Sequence, residues 1–136
     1  MKSIIVDDDK TCASIFKAKL SKYGNCDVVH NGKDALKAYE ESLDNDSPYR
    51  LMVLDIVLPN GMSGGEVFKL IRQLEAKKQI PEIDKLRIIF ATGYDDWYNR
   101  NIIIKNIDYA YENYFIKSSN MEEFLDKVHE LGFVLD

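Results

Sequence analysis

The chain is short of everything that would give it a covalent or fibrous framework. It has two cysteines, Cys12 and Cys26, far apart and without metal-ligand spacing. They read as reduced, partly buried small residues rather than as a disulfide pair. Its three prolines, Pro48, Pro59 and Pro81, each sit beside an expected element boundary, and no stretch is rich in Gly, Pro or Ser. That excludes a linker, a low-complexity tract or a fibrous repeat. No apolar run approaches the ~18–20 residues of a membrane span. The opening Met1-Lys2-Ser3-Ile4-Ile5-Val6-Asp7 turns acidic too soon for a secretory leader, so a cytoplasmic location is expected. Basic residues are in deficit as well, 18 Lys and Arg against 23 Asp and Glu, for a formal net charge of -5. A nucleic-acid partner needs a basic face and is disfavoured.

What remains is an ordinary globular composition, 46% hydrophobic and 30% charged over 136 residues. This is one domain, residues 1–136, long enough to bury a core without disulfides. Short apolar runs alternate with longer amphipathic stretches. Ser3–Val6, Asp27–His30, Leu51–Leu54, Arg87–Ala91 and Tyr114–Ile116 read as strands, and their consecutive apolar residues suit strands covered on both faces. Helical spacing links Cys12, Ile15, Phe16, Leu20 and Tyr23. It recurs in Ala35, Leu36, Tyr39 and Leu43 behind an Asn31 cap, and in Val67, Leu70, Ile71 and Leu74. A fourth helix is expected within 95–106. A fifth runs through Met121, Phe124, Leu125, Val128 and Leu131, with Asn120 and Glu123 as a capping box and Gly132 as its stop. Five βα units with right-handed crossovers make an α/β, doubly wound, five-stranded parallel sheet with five helices. In such a fold ligands bind at the carboxyl ends of the strands.

Those strand ends carry the chemistry. The first ends in Asp7, Asp8 and Asp9, the third in Asp55, the fourth in Thr92 and the fifth in Lys117. Packed carboxylates repel one another and need a cation or raised pKa values. Their hard oxygens suit Mg²⁺, which keeps waters and accepts phosphate oxygens. Lys117 offers a positive charge and Thr92 a hydroxyl to a phosphoryl group. The set reads as metal-assisted phosphoryl chemistry. Asp9 is the member expected to cap the first helix. Asp55, between Leu54 and Ile56, is the hardest to assign to a structural role, because an unpaired carboxylate there is costly.

Val6-Asp7-Asp8-Asp9, Leu54-Asp55-Ile56-Val57-Leu58-Pro59, Ala91-Thr92-Gly93 and Tyr114-Phe115-Ile116-Lys117 resemble the receiver domain of two-component response regulators. The resemblance spans nearly the whole chain and looks most like the stand-alone, chemotaxis-type regulators, with no effector domain. It implies a flavodoxin-like fold with strand order 2-1-3-4-5. It implies that Asp55 is the phosphoacceptor, served by a histidine kinase or phosphotransfer protein. Asp7, Asp8, the Asp55 carboxylate and the Val57 backbone carbonyl would hold Mg²⁺. Thr92 and Lys117 would contact the phosphoryl group, and Tyr114 would be the aromatic switch that follows Thr92. Such a protein catalyses only its own phosphorylation and slow dephosphorylation, and signals by altered partner binding. It is not a conventional enzyme and engages neither nucleic acid nor membrane.

Three departures stand out. Ser118 follows Lys117 where the family usually has proline. Pro59-Asn60-Gly61-Met62-Ser63-Gly64-Gly65 is one residue longer than the family's stretch. The segment from Thr92 to Lys117 is long and aromatic, with Tyr94, Trp97, Tyr98, Tyr109 and Tyr111. The resemblance implies that Val57 and Tyr94 flank the path of attacking water, and Tyr98, Ile102, Ile103 and Lys105 are candidates for an output face. Two other readings compete. Ser3 to Thr11 also fits the Asp-x-Asp-x-Thr motif of haloacid dehalogenase-like phosphatases, with Asp7 as nucleophile and Asp9 as general acid. That reading misorders Lys117 against Asp95-Asp96 and leaves Asp55 idle. A receiver-like interaction module that takes no phosphate is the other.

Overall fold

Alternate residues of the central strands face two different apolar layers, and this sets the architecture. The computed structural model describes residues 1–58, 61–92, 114–117 and 120–133, with the side chains of Thr92 and Tyr114 outside that description. Strands β1 (Ser3–Val6), β2 (Cys26–Val29), β3 (Leu51–Asp55), β4 (Arg87–Thr92) and β5 (Tyr114–Ile116) form one sheet. Its order is β2-β1-β3-β4-β5, and every pairing is parallel. The expected order and the flavodoxin-like winding are therefore observed. The register aligns the carboxyl ends: Val6 pairs with both Val29 and Leu54, Asp55 with Ala91, and Thr92 with Ile116.

Four helices lie among the described residues: α1 (Lys10–Leu20), α2 (Gly32–Asp44), α3 (Gly64–Lys77) and α4 (Met121–Glu130). The helix expected within 95–106 lies outside them, as do Tyr94, Tyr98, Ile102, Ile103, Lys105 and Ser118. On one face Ile4, Val6, Met52, Leu54, Ile88 and Phe90 pack against Ala35 and Tyr39 of α2 and Val67 and Ile71 of α3. On the other, Ile5, Val53, Ile89 and Phe115 pack against Phe16 and Leu20 of α1 and Phe124 and Val128 of α4. Burying each such side chain contributes roughly 1.5–3 kcal/mol.

The helix ends follow local chemistry. Asp9 caps α1 by accepting from the Thr11 and Cys12 N–H groups, Asn31 caps α2 through the Asp34 N–H, and Ser63 caps α3 through the Glu66 N–H. Asn120 caps α4, but its side chain takes the Glu122 N–H rather than that of Glu123. Gly132 stops α4 at φ +100°, with its N–H on the His129 carbonyl and that of Phe133 on the Val128 carbonyl.

Several positions differ from expectation. β2 starts one residue earlier, because buried Cys26 pairs with Ser3, and His30 falls outside the strand. Ile15 and Leu70 are exposed, since they sit beside buried stripes that run through Ala13, Phe16 and Leu20 in α1 and through Val67, Phe68 and Ile71 in α3. Glu75 is fully buried. It accepts from the Tyr39 hydroxyl at 2.9 Å, the Leu86 N–H at 2.7 Å and the Arg72 guanidinium at 2.6 Å. Arg72 also donates to the Leu86 carbonyl at 2.9 Å, so α2, α3 and the entry to β4 share one polar knot.

Candidate functional site

At the carboxyl edge, β1 delivers Asp7 and Asp8, β3 delivers Asp55, and β5 leads into Lys117. Candidate ligand oxygens of Asp7, Asp8 and Asp55 all lie within 4.8 Å of one another. Asp7 is 2% exposed and Asp55 7%, whereas Asp8 is open to solvent. Lys117 bridges the two buried carboxylates, with its Nζ 2.7 Å from Asp7 Oδ2 and 3.1 Å from Asp55 Oδ2. The second oxygens are held by the backbone. The Asp9 N–H donates to Asp7 Oδ1 at 2.9 Å, and the Val57 N–H donates to Asp55 Oδ1 at 3.1 Å. Both carboxylates are thus fixed in orientation without a further side chain.

Burial dominates the electrostatics of Asp55 and pushes its pKa up to about 6. The Lys117 charge opposes that rise, the Asp7 charge adds to it, and the bonds from Lys117 and Val57 oppose it. Burial alone would lower the Lys117 pKa. Its hydrogen bond to Asp7 and the charges of Asp55 and Asp7 outweigh burial and raise it, so the ammonium persists. Three carboxylates against one ammonium leave an excess of negative charge.

That excess suits a hard divalent cation. Three carboxylates, each with a candidate ligand oxygen within 4.8 Å of the other two, are the hard-oxygen donor set that Mg²⁺ takes. The residues present therefore fit the group.

The loop after Asp55 is set by glycines. A Cβ on Gly64 would meet the Asp55 carbonyl oxygen at 2.2 Å, so only glycine lets α3 begin against the acidic strand end. Gly61 takes φ +79° with open space around it and supplies the turn in the lengthened stretch. Pro59 and Asn60 lie outside the described residues. Val57 is 58% exposed beside Asp55.

Of the expected site residues, Asp7, Asp8, Asp55 and Lys117 meet in space. Backbone pairing places Thr92 opposite Ile116 at the carboxyl edge, and Tyr114 opposite Phe90, two residues back along β4. Asp9 serves as the α1 cap. The Cys12 N–H, foremost, lowers its pKa, which is the wrong direction for a general acid, and this counts against the phosphatase reading. Sequence reasoning missed His30, whose Nδ1 lies 2.9 Å from the Asp7 carbonyl oxygen. No spacing signal marked it, because the contact joins the residue after β2 to the residue after β1, far apart in sequence.

Comparison with known proteins agrees with this geometry. The family model described as the response regulator receiver domain matches residues 4–129. The receiver domain of Francisella response regulator 1452 superposes with TM-score 0.68 at 25% identity, covering 96% of this chain and 94% of that one. The receiver domain of the histidine kinase CKI1 from Arabidopsis thaliana superposes with TM-score 0.72 at 19% identity, covering 95% and 89%, and shows the shared fold. Transcription factor SKN7 of Candida albicans is 32% identical over 78 residues, which is 57% of this chain and 13% of that protein's length. With the acidic edge in place and the match running through nearly every element, the chain belongs to the response regulator receiver domain family of two-component signalling proteins.

Proposed function

We propose that Asp55 accepts a phosphoryl group from the phosphohistidine of a histidine kinase or phosphotransfer protein. The observation that carries this is the placement of one nearly buried carboxylate, bound by both the Val57 N–H and Lys117, beside two further acidic residues. A carboxylate oxygen of Asp55 attacks phosphorus in line, the P–N bond to the donor imidazole breaks, and an acyl phosphate forms. Asp7, Asp8, the Asp55 carboxylate and the Val57 backbone carbonyl would hold Mg²⁺. That ion, when bound, neutralises charge on the transferring phosphoryl oxygens. Lys117 already touches Asp55 and passes its ammonium to a phosphoryl oxygen as charge builds there. Thr92 provides a hydroxyl for another oxygen, and Tyr114 follows Thr92 as the switch.

The acyl phosphate adds roughly 1.5–2 negative charges at one point of the edge. The chain, as one receiver unit over residues 1–136, signals by the change in partner binding that this charge produces. Its own chemistry is limited to self-phosphorylation and slow hydrolysis. No helix among the described residues is long and apolar enough to cross a membrane.

Phosphoramidate with Mg²⁺ tests the assignment. Borohydride reduction of the product should convert Asp55 alone to homoserine, read by peptide mass mapping. Reduction at Asp7 would instead favour the phosphatase chemistry, and no reduced residue would favour the module that takes no phosphate.

A further inference from the structure

Building on the reading of Asp7 and Asp8 as cation ligands, we propose that His30 is a positioning residue for that site, tethering the peptide that carries both carboxylates. The β1–β2 ladder runs from the Ser3 N–H on the Asn25 carbonyl to the Asp7 N–H on the Val29 carbonyl. In a parallel ladder the next rung would bring the residue 31 N–H to the Asp7 carbonyl. Asn31 has become the α2 cap, at φ -153° and ψ 166°, with its side chain on the Asp34 N–H. The His30 ring fills the missing rung, with Nδ1 2.9 Å from the Asp7 carbonyl oxygen.

A carbonyl can only accept, so His30 Nδ1 carries the proton and donates. With His30 in place, Asp7 is 2% exposed. The bonded oxygen belongs to the planar Asp7–Asp8 peptide, and the tilt of that plane directs both side chains. Outer groups that fix ligand orientation in this way commonly govern metal affinity. Lys117 and the Asp9 N–H hold the Asp7 carboxylate itself, but neither holds this peptide plane. His30 is exposed, so its replacement removes a tether without opening a core.

The test compares His30→Asn, His30→Gln and His30→Phe in the full chain, at a temperature where circular dichroism reports each folded. The asparagine amide nitrogen stands where Nδ1 stood. The glutamine nitrogen mimics Nε2 and cannot make the bond, and phenylalanine has no donor. Mg²⁺ affinity is measured by calorimetry. Loss of one such bond is expected to weaken binding roughly 3–10-fold in His30→Gln and His30→Phe, with His30→Asn within about twofold of native. At saturating Mg²⁺ the rate of phosphorylation by phosphoramidate in His30→Phe should return to the native value. Native-like Mg²⁺ affinity in His30→Gln and His30→Phe would overturn the proposal. So would equal losses in all three variants, or a rate deficit that persists at saturating Mg²⁺. If the native chain binds no Mg²⁺, the cation site itself falls, and the role of His30 with it.

Discussion

Asp55 ends an apolar strand with 7% of its surface in water, and the cost of ionising it there is visible as a pKa of about 6. An unfolded aspartate titrates near 3.9. Between these values the native state keeps a proton that the unfolded state has released. The contribution of Asp55 to stability is therefore full below about pH 4, falls as pH rises, and is gone above about pH 6 in the cation-free protein. Asp55→Asn cannot ionise. Its unfolding free energy relative to native should grow across that window to an advantage on the order of 1–3 kcal/mol at neutral pH. Urea denaturation in EDTA from pH 4 to pH 8 measures it, and a difference that does not change with pH contradicts the assignment of this proton to Asp55.

At the scale of elements, the same terminus chemistry recurs with different residues. Past α2, Asp46 stands at φ 54°, and past α3, Gln79 stands at φ 56°, and each, with the residue after it, donates the same pair of backward bonds that Gly132 and Phe133 donate past α4. Side chains there carry a penalty that glycine avoids. Asp46→Gly and Gln79→Gly should each raise unfolding free energy by about 0.5–1 kcal/mol in chemical denaturation. Glu75 works the other way. Glu75→Ala leaves the Leu86 N–H, the Tyr39 hydroxyl and the Arg72 guanidinium without this carboxylate and should cost about 3–5 kcal/mol, read in the same assay. These features also mark the limit of sequence reading. The strands, the Asn31 and Asp9 caps and the Gly132 stop were legible because local periodicity and cap chemistry dictate them. The acidic edge was legible because polar residues ended apolar runs. Glu75 and His30 were not, because each is explained by partners on other elements. Ile15 and Leu70 were misplaced because helical spacing gives a stripe and not its edge.

For the molecule as a whole, the sheet brings charges of one sign from β1 and β3 to one rim, and folding holds them there against repulsion. A divalent cation bound only by the folded chain should raise stability by about 1.4 kcal/mol at ten times its dissociation constant. Thermal unfolding with and without Mg²⁺ checks this, and Asp8→Ala should abolish the shift. Removing one repelling carboxylate should also stabilise the cation-free form. A melting temperature unaffected by Mg²⁺ in the native chain would contradict the acidic rim as a cation site. The central claim, that Asp55 is a Mg²⁺-dependent phosphoacceptor, is tested most directly by intact-mass analysis after incubation with acetyl phosphate. The native chain should gain the mass of one phosphoryl group with Mg²⁺ and none with EDTA, and Asp55→Asn should gain none in either. Incorporation into Asp55→Asn equal to native, or none into the native chain with Mg²⁺, would contradict it.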